Sequence, residues 1–132
     1  MPSVLFVCVA NSFRSQMAEA LAKAADPSWE VWSAGSNPGG HVHPMAERLM
    51  KEVGLSLAGH RSKGLGEVPA RRWDYVVTMG CGDACPHVPA QERLDWALPD
   101  PAAGSDDAAR RIRDEIAAKI KDLMARHGQP SR

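Results

Sequence analysis

The run Ser3-Val-Leu-Phe-Val7 is apolar without alternation, which predicts a short strand buried on both faces. Cys8 to Ser12 is turn-rich. From Arg14 to Ala25 the period becomes helical: Met17, Ala18, Leu21 and Ala25 share a face, alanine is abundant, and Asp26-Pro27 ends the helix. Glu30-Val-Trp-Ser33 predicts a second strand, and Ser36 to Gly40 a loop. A second helix is expected from His43-Pro44, with proline in its first turn, Met45, Leu49, Met50 and Val53 as its apolar side and Gly54 as its cap. Ser56 to Arg72 reads as short helical turns and loop. Tyr75-Val-Val-Thr-Met79 predicts a third strand, Gly80 to Ala90 a loop, and Arg93 to Leu98 a shorter fourth strand. The last helix has Ser105 as N-cap, Asp106 and Asp107 at its positive end, and Ala109, Ile112, Ile116, Ile120 and Leu123 at helical spacing. Arg126 and His127 suit its negative end, Gly128 ends it, and Gln129 to Arg132 is expected to fray.

This order of elements predicts an α/β sandwich around a parallel sheet, with right-handed crossovers placing helices on both faces. No repeat, linker or low-complexity tract interrupts it, so residues 1–132 read as a single domain.

Composition narrows the partners. Formal net charge is zero, with 44% hydrophobic and 24% charged residues among 132, which argues against nucleic acid or an anionic membrane as a general partner. The apolar stretch Val4 to Ala10 is too short to span a bilayer and lacks the basic lead-in of a secretory signal. Three cysteines, at 8, 81 and 85, are an odd number and do not suggest a secreted disulfide scaffold. A reducing cytoplasm is the expected compartment.

The chemistry concentrates in Cys8-Val-Ala-Asn-Ser-Phe-Arg14-Ser15, between the first strand and the first helix. A loop of this length can turn the backbone N–H groups of Val9, Ala10, Asn11, Ser12, Phe13, Arg14 and Ser15 onto one oxyanion, aided by the positive helix end. The same field favours a Cys8 thiolate. Arg14 can bind two oxygens of the anion bidentately, and Ser15 can donate its hydroxyl to the Cys8 sulfur. Asn11 tolerates a left-handed backbone.

The segment Val4 to Ala20 closely resembles the low-molecular-weight tyrosine phosphatase and arsenate reductase superfamily, as do Ser33-Ala-Gly35, Gly59-His-Arg-Ser62, Tyr75 to Met79 and Asp100-Pro101. The resemblance covers nearly the whole chain, in order. It implies a three-layer sandwich with a four-stranded parallel sheet of order 2-1-3-4, Cys8 as nucleophile, Arg14 as oxyanion ligand and Asp100 as general acid.

Two features separate the superfamily's activities. Phosphotyrosine phosphatases place aromatic residues beside the acid, whereas Pro101 is followed by Ala102, Ala103 and Gly104. A phosphatase also needs only one thiol, while reduction needs electrons that Cys81 and Cys85 can supply. Thr78 to Pro86 resembles the redox segment of the arsenate reductases. The implied reaction turns arsenate into arsenite through Cys8, then Cys81, with Cys85 able to take over the disulfide. Phosphate and sulfate are expected analogues. Hydrolysis of phosphate monoesters through a phosphocysteine at Cys8 is the alternative.

Departures from the resemblance bear on the electron donor. Many thioredoxin-linked members carry a cysteine where this chain has Phe13, and their relay cysteines are spaced more widely. Thioredoxin therefore stands beside a second donor: mycothiol or glutathione with a glutaredoxin- or mycoredoxin-type protein. Asn11 and Glu19 match part of the family's potassium site, but Arg61 and Lys63 bring positive charge there, so no metal or other cofactor is expected. A rival reading places zinc on Cys81, Cys85 and His87 with His41 or His43, but no second paired cluster accompanies them.

Overall fold

The computed structural model describes residues 2–69, 71–79, 88–99 and 104–127. Strands β1 (Ser3–Cys8), β2 (Glu30–Gly35), β3 (Trp73–Thr78) and β4 (Ala90–Asp95) form one sheet in the order β2-β1-β3-β4, with every pairing parallel. All six residues of β1 are buried, as its unbroken apolar run requires of a central strand. Val4, Phe6 and Cys8 face one cluster, with Met17, Leu49 and Ile116, while Leu5 and Val7 pack with Ala34, Trp73 and Val76 on the other face.

The helices α1 (Arg14–Ala25), α2 (Pro44–Glu52) and α3 (Asp106–His127) all contribute to the first cluster, and α1 packs against both α2 and α3. Among the described residues the second face carries a thinner layer, the 3-10 turn Leu65–Glu67 with Val68 and Val88 beside it. No described helix is long and apolar enough to cross a membrane.

Helix ends follow local chemistry. Ser105 Oγ accepts from Ala108 N at 3.1 Å and caps α3. His43 caps α2, its Nδ1 accepting from Met45 N at 3.1 Å. Gly54, at φ +79°, supplies the left-handed residue beyond the end of α2. The basic residues of α3 divide. Arg110 pairs across to Glu52 at an exposed site, whereas Arg113 is buried, donating to Leu49 O at 3.1 Å and to Glu52 Oε1 at 2.7 Å. Hydrogen bonds from Arg110 and then Arg113 hold the Glu52 carboxyl down at about 2, so this tie between α2 and α3 stays charged under ordinary conditions.

The fourth strand begins three residues earlier than expected. Ala90–Asp95 alternates between half-buried and exposed positions, as an edge strand should, so apolar density misplaces it toward Trp96 and Leu98. Those two residues instead cover the end of the sheet. Trp96 N donates to Thr78 O at 2.7 Å, and its ring lies 5.9 Å from that of Phe6. Strand β3 likewise starts at Trp73 rather than Tyr75. Of the expected Gly80 to Ala90 loop, residues 80–87 lie outside the described residues, as do Gly128 and the expected frayed tail Gln129 to Arg132.

Candidate active site

Cys8 is the last residue of β1 and pairs with Gly35 at the end of β2, while Val7 pairs with Thr78 at the end of β3. The loops leaving these strands therefore share the carboxyl edge of the sheet, where open α/β sheets bind ligands.

The loop after Cys8 is held from outside. Cys8 O accepts from Ser36 N (3.2 Å), Val9 O from Asn37 N (2.9 Å), and Ala10 O from Gly39 N (2.9 Å) and Ser62 Oγ (2.8 Å). Asn11 O accepts from Gln16 Nε2 (3.1 Å) and Ser12 O from His43 N (2.8 Å). Five successive carbonyls thus point outward. In a trans peptide the next N–H points the opposite way, so the N–H groups of Val9 through Phe13 turn inward. None of these five has a partner among the described residues. Asn11 makes the bend at φ +50°, the one described non-glycine residue with positive φ. The result is a nest for a tetrahedral anion.

Helix α1 completes it. Unlike α2 and α3, α1 has no side-chain N-cap, and its first turn has no acidic residue, so its free N–H groups and positive end are left to a ligand. Cys8 is buried, and its sulfur lies 2.9 Å from Ser15 Oγ. Ser15 Oγ also accepts from Asn11 Nδ2 at 2.8 Å, which leaves its own proton free to turn to the sulfur.

Arg14 Nη1 donates to Met79 O (2.7 Å) and Leu98 O (2.9 Å). These described bonds use one corner of the guanidinium and leave the Nε–Nη2 edge for a bidentate anion contact. Met79 stands two residues before Cys81, and Leu98 two before Asp100. Cys81, Cys85 and Asp100, with His87 of the zinc alternative, lie outside the described residues. Phe13 is buried, with its ring 4.8 Å from that of His43.

Next to this loop, buried Glu19 meets Ser33 Oγ, Lys23 Nζ (2.8 Å) and Lys63 Nζ (3.3 Å). Burial pushes its pKa up, but hydrogen bonds from Lys23 and Ser33 and the charge of Lys63 outweigh this and hold it below the usual carboxylate range. Lys63 Nζ also lies 3.2 Å from Ser33 Oγ. An ammonium therefore already neutralises the carboxylate that the family's potassium would meet, and this donor set does not fit that ion.

Sequence reasoning assigned no role to Ser36, Asn37, Gly39, Ser62 or Gln16, although Gly59-His-Arg-Ser62 was a family segment. Gly35 is a further constraint. A Cβ there would lie 2.5 Å from Val9 O and 3.0 Å from Asn11 N, both backbone atoms of the nest. Gly35→Ala is expected to weaken phosphate or sulfate binding roughly tenfold or more, measured by calorimetry, as the loop is pushed out of register. Unchanged affinity would mean that the nest is not the anion site.

Known proteins share these features. A family model described as low molecular weight phosphotyrosine protein phosphatase matches residues 3–130. An arsenate reductase of Halalkalibacterium halodurans is 40% identical over 129 residues, covering 89% of this chain and 91% of that protein. One from Staphylococcus aureus is 38% identical over 130 residues, covering 94% and 97%. The solved structure of an arsenate reductase in the phosphate binding state matches with a TM-score of 0.85 at 34% identity, over 96% of this chain and 98% of the other. A thioredoxin-dependent arsenate reductase of Corynebacterium glutamicum matches with a TM-score of 0.78 at 39% identity, over 96% of this chain and 61% of that longer one.

Proposed function

This chain belongs to the low-molecular-weight phosphotyrosine protein phosphatase family, and from that premise we propose that it is an arsenate reductase working through Cys8 and a thiol relay. The observation that carries the reading is the nest itself: five inward N–H groups around a buried cysteine whose sulfur receives the Ser15 hydroxyl. Arsenate and phosphate both have the tetrahedral shape and negative charge that such a nest accepts. The two further thiols, Cys81 and Cys85, favour reduction over hydrolysis.

Arsenate binds to the loop Val9 to Ser15 with its charge on the N–H groups and the free edge of Arg14. The Cys8 thiolate attacks arsenic. An As–S bond forms as an As–O bond breaks, and Asp100 protonates the departing oxygen so that water leaves. The Cys81 thiolate then attacks the Cys8 sulfur. The S–S bond forms as the S–As bond breaks, and its electron pair stays on arsenic, which leaves as arsenite. Cys85 attacks the Cys81 sulfur in turn, returning Cys8 as a thiol and leaving a Cys81–Cys85 disulfide for an external reductant. Two thiols become one disulfide for each arsenic reduced by two electrons.

The finer assignments belong to the same proposal: residues 1–132 act as one domain in the cytoplasm, where thiols remain reduced. Thioredoxin is the first candidate donor, ahead of a small thiol with a glutaredoxin- or mycoredoxin-type protein; the C. glutamicum relative, thioredoxin-dependent by name, supports that order. The test is arsenite release by the purified chain, supplied in parallel with thioredoxin and its reductase, a mycothiol system and a glutathione system, with an aryl phosphate as control. Turnover with one system supports the reading and identifies the donor. Brisk aryl phosphate hydrolysis without arsenite from any system would make the chain a phosphatase.

A further inference from the structure

Behind the nest lies a second layer of buried polar side chains that the reaction above does not use. Gln16, on the first turn of α1, is fully buried. Its Nε2 donates to Arg61 O (2.8 Å), to Asn11 O (3.1 Å) and to Asn11 Oδ1 (3.0 Å). Its Oε1 lies 3.1 Å from His60 Nδ1.

The direction of each bond from His60 to Ser15 can be fixed. Backbone carbonyls only accept, so Arg61 O and Asn11 O require the Gln16 amide nitrogen on their side and leave its oxygen toward His60. An amide oxygen only accepts, so His60 must carry a proton on Nδ1. Lys63 N donates to Asn11 Oδ1 at 2.9 Å, and a backbone N–H only donates, so Asn11 Nδ2 faces Ser15. Ser15 Oγ is thereby an acceptor from Asn11, and it is the donor to sulfur when Cys8 is the thiolate, which can only accept. One unbroken series runs from His60 through Gln16, Asn11 and Ser15 to Cys8, each group donating toward the thiol.

We propose that Gln16, oriented by His60, is a positioning residue that holds Asn11 and Ser15 so that the Ser15 hydroxyl is committed to the Cys8 sulfur. Asn11, Ser15 and Gln16 are each fully buried, so water cannot substitute for a lost donor. Gln16 grips Asn11 at both its carbonyls, main chain and side chain, and Asn11 is the residue whose left-handed backbone shapes the nest. Successive hydrogen bonds in one sense polarise each other and strengthen the last, to sulfur.

His60 suits the outer end of this series. It is partly buried, with Glu19 Oε2 3.7 Å from its Nδ1 and the charges of Lys23 and Lys63 nearby. Burial pushes its pKa down, the two lysines add to this, and Glu19 opposes them. The imidazole is thus neutral at pH 7, with its one proton on Nδ1 pointing to Gln16.

The inference concerns the thiol that the proposed reduction uses, but its test needs no arsenate. Cys8 alkylation by iodoacetamide at pH 7 is followed on the reduced full chain by mass mapping, with thermal unfolding recorded alongside. Gln16→Met keeps volume and removes both polar ends; it is expected to slow alkylation of folded protein about tenfold, the scale of one hydrogen bond to a charged group. His60→Leu should slow it several-fold, and His60→Asn, which restores a donor near the Nδ1 position, should recover most of the loss. Nitrogen-15 spectra should show the His60 proton on Nδ1. A wild-type rate in folded Gln16→Met, or a His60 proton on Nε2, would overturn the proposal. If Gln16→Met does not fold, the His60 pair decides: equal rates for Leu and Asn would overturn it. Failure of arsenate reduction with intact alkylation effects would count only against the functional reading.

Discussion

Cys8→Ser is expected to lower arsenite release by at least about 10³-fold, because a serine hydroxyl is scarcely ionised near neutral pH and cannot form the disulfide that carries electrons away. The fold should be indifferent to the change. The side chain is small and buried, and an oxygen can keep the bond to Ser15. The anion nest is made of backbone N–H groups and Arg14, none of which Cys8→Ser removes, so phosphate affinity should stay within about threefold of wild type by the affinity scale. The paired measurements are arsenite release and calorimetric phosphate binding. Loss of turnover with retained binding separates a missing nucleophile from a collapsed site. Arsenate reduction that survives in this variant would sink the mechanism.

Cys81→Ser should divide the two chemistries open to this fold. With Cys81 absent, the Cys8–arsenic adduct loses the thiol assigned to attack its sulfur, Cys85 being placed only to attack Cys81, and reduction is expected to fall by at least about a hundredfold, on the scale of losing a reacting group. Aryl phosphate hydrolysis, where present, needs water rather than a second thiol and should stay near wild type. Equal loss of both activities would mean that Cys81 supports the site structurally and carries no electrons. An external thiol added to Cys81→Ser offers a further check: partial recovery by millimolar dithiothreitol is expected if the adduct forms and only its attacker is missing.

Much of the site was legible because its signals are local. An unbroken apolar strand, a turn-rich stretch and an alanine-rich helix in immediate succession determine where Cys8, Arg14 and Ser15 must fall, and Asn11 at φ +50° occupies the bend that its side chain allows. The parallel sheet followed from the alternation of strands and helices. What was not legible depends on distant partners. Nothing near Ser62 says that its hydroxyl will hold Ala10 O, or near Lys63 that its backbone N–H will orient Asn11 while its ammonium neutralises Glu19. No local signal marks Gln16, because helical periodicity cannot tell a buried glutamine from a solvated one. The misplaced β4 has the same origin. Trp96 and Leu98 are apolar because they cover the end of the sheet, not because they belong to a strand. Arg113 lies among charged positions of α3, yet it is buried because Glu52 and Leu49 O of α2 receive it.

The long sequence separations in the nest also constrain when it can exist. The bonds that fix Asn11 and Ala10 reach 52 residues down the chain, and those of Arg14 reach 65 and 84. Contacts so distant form only after large loops close, so they are late events in folding. On the ribosome, Arg14 lacks its second anchor until Leu98 has emerged. The chain therefore begins life without an anion site beside Cys8. The nest is absent during most of synthesis and arrives only as the protein finishes folding.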